Sequence, residues 1–102
     1  MTQLAHNVFF SLKDNSDEAV EKHLSECRKY LDNHDGALSF SVGVCEKVLI
    51  REVNRLFDAS LHIVFADRDS HDKYQVNERH LKFIKDNQEN WAKVEVCDSN
   101  LA

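Results

Sequence analysis

Residues 4–12 read LAHNVFFSL, and the architecture of the whole chain follows from their alternation. Leu4, His6, Val8, Phe10 and Leu12 fall on one side of an extended backbone; Ala5, Asn7, Phe9 and Ser11 fall on the other. The period of two predicts a strand whose heavier apolar side is turned to a core. The same period recurs three times downstream. Residues 37–46 set Leu38, Phe40, Val42 and Val44 against Ser39, Ser41, Gly43 and Cys45. Residues 57–65 set Ala59, Leu61, Ile63 and Phe65 against Ser60, His62 and Val64, and residues 91–98 set Ala92, Val94 and Val96 against Lys93, Glu95 and Cys97.

Helical signals fill two of the gaps. Asn15 with Glu18 fits a capping box, and Asp17 and Glu18 sit where the helix dipole favours negative charge. Val20, Leu24, Cys27 and Leu31 then form one apolar stripe, and residues 33–36 close the helix with Gly36 as its left-handed cap. Residues 67–70 form a second N-cap cluster, opening a short helix through about Tyr74. Residues 78–88 form a further helical stretch, with Leu81 and either Phe83 or Ile84 inward. Residues 47–56 have no clean period and read as a long connection.

The order β-α-β-β-α-β over 102 residues defines an α+β, ferredoxin-like single domain, residues 1–102. Its helix-covered sheet face would gather His6, Val8, Phe10, Phe40, Leu61, Ile63, Val94 and Val96. The opposite face would carry Asn7, Phe9, Ser11, Ser41, Cys45, His62, Val64 and Cys97. That set is too apolar for bulk water and too polar for a private core. It suits a second copy of the same face, which predicts a two-fold homodimer.

Composition narrows the function classes. With 42% apolar and 30% charged residues, the chain has the balance of a soluble globular protein. A net charge of −5 with scattered Lys and Arg argues against nucleic-acid binding. No apolar run approaches the ~20 residues of a membrane span, and the first residues lack a signal-peptide pattern. Three cysteines without CxxC spacing point to a reducing compartment, so a cytoplasmic location is expected. Cys27, Cys45 and Cys97 read as small packing residues. With two glycines and no GxGxxG, P-loop or GxSxG motif, phosphate-cradling loops and nucleophile elbows are not expected. The six histidines form no HxH or HxxxH pair. No metal or other cofactor is expected, beyond adventitious ion binding at His34 with Asp35 or His71 with Asp72.

Three polar residues interrupt the apolar pattern. His6 lies between Leu4 and Val8 on the inward side of the first strand. It is either a core histidine with one ring nitrogen bonded or a polar group lining a pocket. Tyr74 and His80 stand six residues apart across a helix break. They either pack and cap, or turn together toward the sheet, where a phenol and an imidazole could polarise a carbonyl and move a proton next to it.

The segments LAHNVFFSLK, ALSFSVG, FDASLHIVFAD with SHDKYQVNERHLKFI, and WAKVEVCDS resemble, in order, the stress-responsive A/B barrel domain (Dabb) family, over about residues 6–98. The resemblance implies a ferredoxin-like chain that pairs sheet to sheet into a dimeric α+β barrel. Most members have no assigned reaction; a plant polyketide cyclase among them forms olivetolic acid by cofactor-free aldol cyclisation. By that likeness Tyr74 and His80 fall on the catalytic pair and His6 on a first-strand pocket histidine. Val8, Phe10, Leu61, Trp91, Val94 and Val96 fall on apolar lining positions, with Ile63 beside them on the third strand. Two polar positions of the cyclase differ: a strand histidine is Ala59 here, and a helix tyrosine is Cys27. The expectation is therefore a homodimer with a small apolar pocket for a small hydrophobic carbonyl compound or aromatic acid. A cofactor-independent cyclase or lyase, a cofactor-free monooxygenase like others of this dimeric fold, and a purely structural dimer stay open beside it.

Overall fold

Strands β1 (Leu4–Leu12), β2 (Ala37–Val44), β3 (Ala59–Phe65) and β4 (Trp91–Asn100) pair antiparallel in the order β2-β3-β1-β4. The computed structural model describes residues 2–49, 51–52 and 56–102. Helix α1 (Asp17–Leu31) joins β1 to β2; α2 (Arg68–Val76) and α3 (Glu78–Asn87), followed by one 3-10 turn (Gln88–Asn90), join β3 to β4. This is the α+β, ferredoxin-like arrangement that the four alternating segments predict. Among the described residues no helix is long and apolar enough to cross a membrane. The predicted connection over 47–56 lies partly outside the described residues.

In β1 burial alternates without exception, with Leu4, His6, Val8, Phe10 and Leu12 buried. The four apolar ones share one core cluster with Leu61, Ile63 and Phe65 of β3 and with Cys27 and Leu31 of α1. Each fully buried apolar side chain contributes about 1.5–3 kcal/mol to folding.

Local chemistry moves several predicted boundaries. The N-cap of α1 is Ser16, not Asn15: Ser16 Oγ accepts the Ala19 N–H at 3.3 Å, while Asp14 accepts the Ser16 N–H and closes the preceding turn. The capping box with Glu18 therefore does not form. Helix α1 also ends earlier than expected, at Leu31, and the left-handed residue that follows is Asn33 (φ 61°), which tolerates that region. Gly36 (φ 80°) instead turns the chain into β2, where an added Cβ would collide with the side chain of Ser70. In α3 Phe83 is buried and Leu81 is exposed.

Two bulges correct the period-two reading. In β2 the register slips between Ala37 and Ser39, so Ala37 rather than Leu38 stands opposite Phe65, and Leu38 is exposed. In β4 Leu12 stands opposite Trp91 while Ser11 stands opposite Lys93, which leaves Ala92 as the extra residue. Trp91 thereby joins the side of β4 that Val94 and Val96 occupy, against strict alternation. Val94 and Val96 face the helix side by register but are not covered: they are 37% and 55% exposed. Cys45 lies just past β2, buried, with its N–H donated to the Asp58 carbonyl.

Candidate functional site

A cavity of about 350 Å³ lies between the helix-side face of the sheet and helices α2 and α3. Val8, Phe10, Leu61, Trp91, Val94 and Val96 give it an apolar wall, and Leu31, Phe83 and Ile84 close it from the helices. Its polar lining is confined to His6, His71, Tyr74, Gln75, His80 and Asp98. A small, mostly apolar cavity with a few convergent polar groups is the usual form of a small-molecule site.

Each polar group is set by a local feature. His6 and Asp98 are directly opposed in the β1–β4 ladder, so their side chains share one face. His6 Nδ1–H donates to Asp98 Oδ1 at 2.6 Å. His71 and Tyr74 are three residues apart on α2 and so lie on one side of it. Asn77 ends α2, donating its N–H to the Tyr74 carbonyl, and starts α3, its side chain accepting the Arg79 N–H. That break turns His80 back over Tyr74, with ring centroids 4.6 Å apart. His6 stands 5.8 Å from the Tyr74 ring and 5.1 Å from that of His71.

Burial sets the protonation states. Desolvation lowers the pKa of His6, which outweighs the opposing pull of Asp98, and the neighbouring His71 lowers it further. The His6–Asp98 contact is therefore a hydrogen bond from a neutral ring rather than an ion pair. His80 is lowered by burial, against the hydrogen bond to the Gln75 carbonyl, with help from His6, His34 and His71. Because a carbonyl only accepts, His80 Nδ1 carries the proton it donates to Gln75 at 3.0 Å, and Nε2 keeps a lone pair. Burial raises the Tyr74 pKa, so its phenol stays protonated, yet its hydroxyl has no hydrogen-bond partner among the described residues. The Trp91 indole N–H is likewise buried without a partner. Unsatisfied buried donors are uncommon and costly.

Of the expected site residues, the structure brings His6, Tyr74 and His80 to one cavity with Val8, Phe10, Leu61, Trp91, Val94 and Val96. Ile63 is the exception: it is 1% exposed and packed in the core, not on the cavity wall. His34, expected on the surface with Asp35, is buried at the end of α1, where its Nε2–H donates to the Tyr30 carbonyl and its ring meets Tyr74 at 4.8 Å. His62 faces away, bonded to Asn7 and Ser60. Sequence reasoning missed Asp98, although it continues the Val94, Val96 alternation. It also missed His71 as a lining residue, although the i, i+3 spacing to Tyr74 marks it. His23, buried like His6 and His34 but outside the cavity, packs 4.4 Å from Phe10.

Fold and site together define a small α+β protein with a histidine-rich cavity beside an antiparallel sheet. The chain belongs to the stress responsive A/B barrel domain family, whose model matches residues 4–101. Among solved structures it is similar to a Dabb family protein with a ferredoxin-like fold from Mesorhizobium loti, at 21% identity, 100% of this chain and 99% of that one, TM-score 0.81. It is similar also to a dimeric ferredoxin-like protein of unknown function from Thermobifida fusca, at 14% identity, 98% and 92% coverage, TM-score 0.80. A hydroxynitrile lyase from Passiflora edulis matches at 13% identity, 99% and 94% coverage, TM-score 0.82. At these identities the likeness establishes the fold. No curated protein matches the chain by sequence.

Proposed function

We propose that this Dabb protein is a homodimer that binds a small, largely hydrophobic ligand carrying a carbonyl or carboxylate oxygen, one per cavity. The observation that carries the reading is Tyr74, which lines the cavity and whose protonated hydroxyl has no hydrogen-bond partner among the described residues. An acceptor oxygen on the ligand would satisfy it, and the Val8, Phe10 and Leu61 wall would take the apolar remainder. The dimer reading rests on the outer sheet face. There Phe9, His62 and Val64 are only half covered, and Phe9 stacks edge-on against Phe57 and His62. The Thermobifida relative, described as dimeric, supports it.

A second reading is favoured by the His80 tautomer. With Nδ1–H committed to Gln75, Nε2 is a base beside a phenol that can donate to a developing oxyanion. Cofactor-independent proton abstraction next to a carbonyl is the reaction this pair supports, with His6 orienting the substrate. The test is a nitrogen-15 NMR titration of the histidine side chains with small aromatic acids and polyketide-like carbonyl compounds, followed by product analysis. Shifts at both His6 and His80, absent at His62, are expected; no response at either from any compound would overturn the ligand reading. Sedimentation equilibrium at micromolar concentration tests the dimer.

A further inference from the structure

We propose that His6, His71 and Asp98 form a binding site for one divalent transition-metal ion on the wall of the cavity. The three come from β1, α2 and β4, and one donor atom from each lies within 4.8 Å of the others. Two imidazoles and one carboxylate suit zinc, cobalt, nickel or ferrous iron, and the three-ligand form leaves coordination positions open. Donors that each sit about 2.1 Å from an ion are at most about 4.2 Å apart, so closing the set takes side-chain rotation rather than backbone movement.

Burial and outer contacts agree with that assignment. His6 is held rigidly in the sheet, with its side chain 4% exposed, whereas Asp98, 38% exposed, retains freedom to turn. His71 donates Nδ1–H to Asp72 at 3.1 Å, leaving Nε2 with a lone pair that accepts the Gln75 amide at 3.3 Å. A carboxylate behind the imidazole is the support that ligating histidines generally have. An orienting dyad needs only His6 and Asp98. The second imidazole, 5.1 Å from the first in ring centroids, is what an ion would require and a dyad would not. An ion held here would present its open positions to the cavity, where a ligand oxygen could bind and be polarised. Binding of the ion itself does not depend on the proposed organic ligand.

The test is a titration of metal-free full-length protein with Co2+, followed by visible absorption and calorimetry and repeated with Zn2+ as competitor. One ion per chain is expected, with binding weakened at least about tenfold in both His71→Ala and Asp98→Asn, and weakened less in Asp72→Asn, whose carboxylate supports His71 without touching the ion. Asp98→Asn keeps the residue's size and can still accept the His6 N–H, so the fold is retained, and circular dichroism checks this. Two results would overturn the site: no Co2+ uptake at about 1 mM, or losses that follow Asp72 rather than Asp98, which would put the ion on the surface pair His71 and Asp72. Ligand titrations without metal report on the cavity separately.

Discussion

Acid should unfold this protein through His23, and the size of the effect can be worked out. His23 is 4% exposed, boxed by the rings of Phe10, Phe83 and Trp91, and its Nε2 has no partner among the described residues. Desolvation brings its pKa from 6.5 down to about 4. The unfolded chain therefore binds a proton between pH 6.5 and 4 that the folded chain refuses. Stability is complete above pH 6.5 and is lost as pH falls toward 4. A shift of this size corresponds to about 3 kcal/mol in full, of which about 2 kcal/mol is lost between pH 7 and pH 5. His23→Leu removes the titration and an unsatisfied polar atom while keeping apolar bulk, so at pH 7 it should cost little. Urea unfolding of both proteins at pH 7 and pH 5 is the assay, with the wild type losing about 2 kcal/mol more than the variant. Equal losses would refute the reasoning and mean that His23 is solvated or paired in solution.

Tyr74→Phe removes the unpartnered donor and should weaken binding of an acceptor ligand about fivefold, read by calorimetry, while leaving thermal stability unchanged or higher. Gly36→Ala places a Cβ at φ 80° against Ser70, and should destabilise by about 1–3 kcal/mol in urea unfolding. Phe9→Asp puts a charge in the middle of the outer sheet face, and should convert the proposed dimer to monomer in sedimentation equilibrium without disturbing the helix-side core. Arg79→Ala removes the guanidinium that donates to the Lys29 and Asp32 carbonyls at the end of α1. It should cost about 1–2 kcal/mol by chemical denaturation.

Where one physical rule acts alone, the sequence was enough. In β1 and β3 every residue of one parity faces the core, because both strands are central and a slip of one residue would expose the whole set. The reading failed where a second rule intervened at an edge. In β2 and β4, each paired on one side only, a single bulge shifts the parity. Leu38 is lost from the core in one case, and in the other Trp91 is gained by the cavity. At the start of α1, Asp14, Asn15 and Ser16 all have N-cap chemistry, and the turn closed by Asp14 decides among them.

The site was legible in the same uneven way. His6 stood out because a histidine on an apolar strand face is anomalous in one element alone. Asp98 and His71 did not, since an acid on a half-exposed edge strand and a histidine beside Asp72 look like solvated surface. They acquire meaning only from register. The β1–β4 pairing sets Asp98 across from His6, and the helix break at Asn77 folds His80 over Tyr74. The polar end of the cavity is thus assembled by a pairing of distant strands and a local helix break, while its apolar end is the ordinary core of the fold with room left in it. The pair His6–Asp98 is held by strand pairing, which cannot shift by one residue without turning Val8 and Phe10 out of the core.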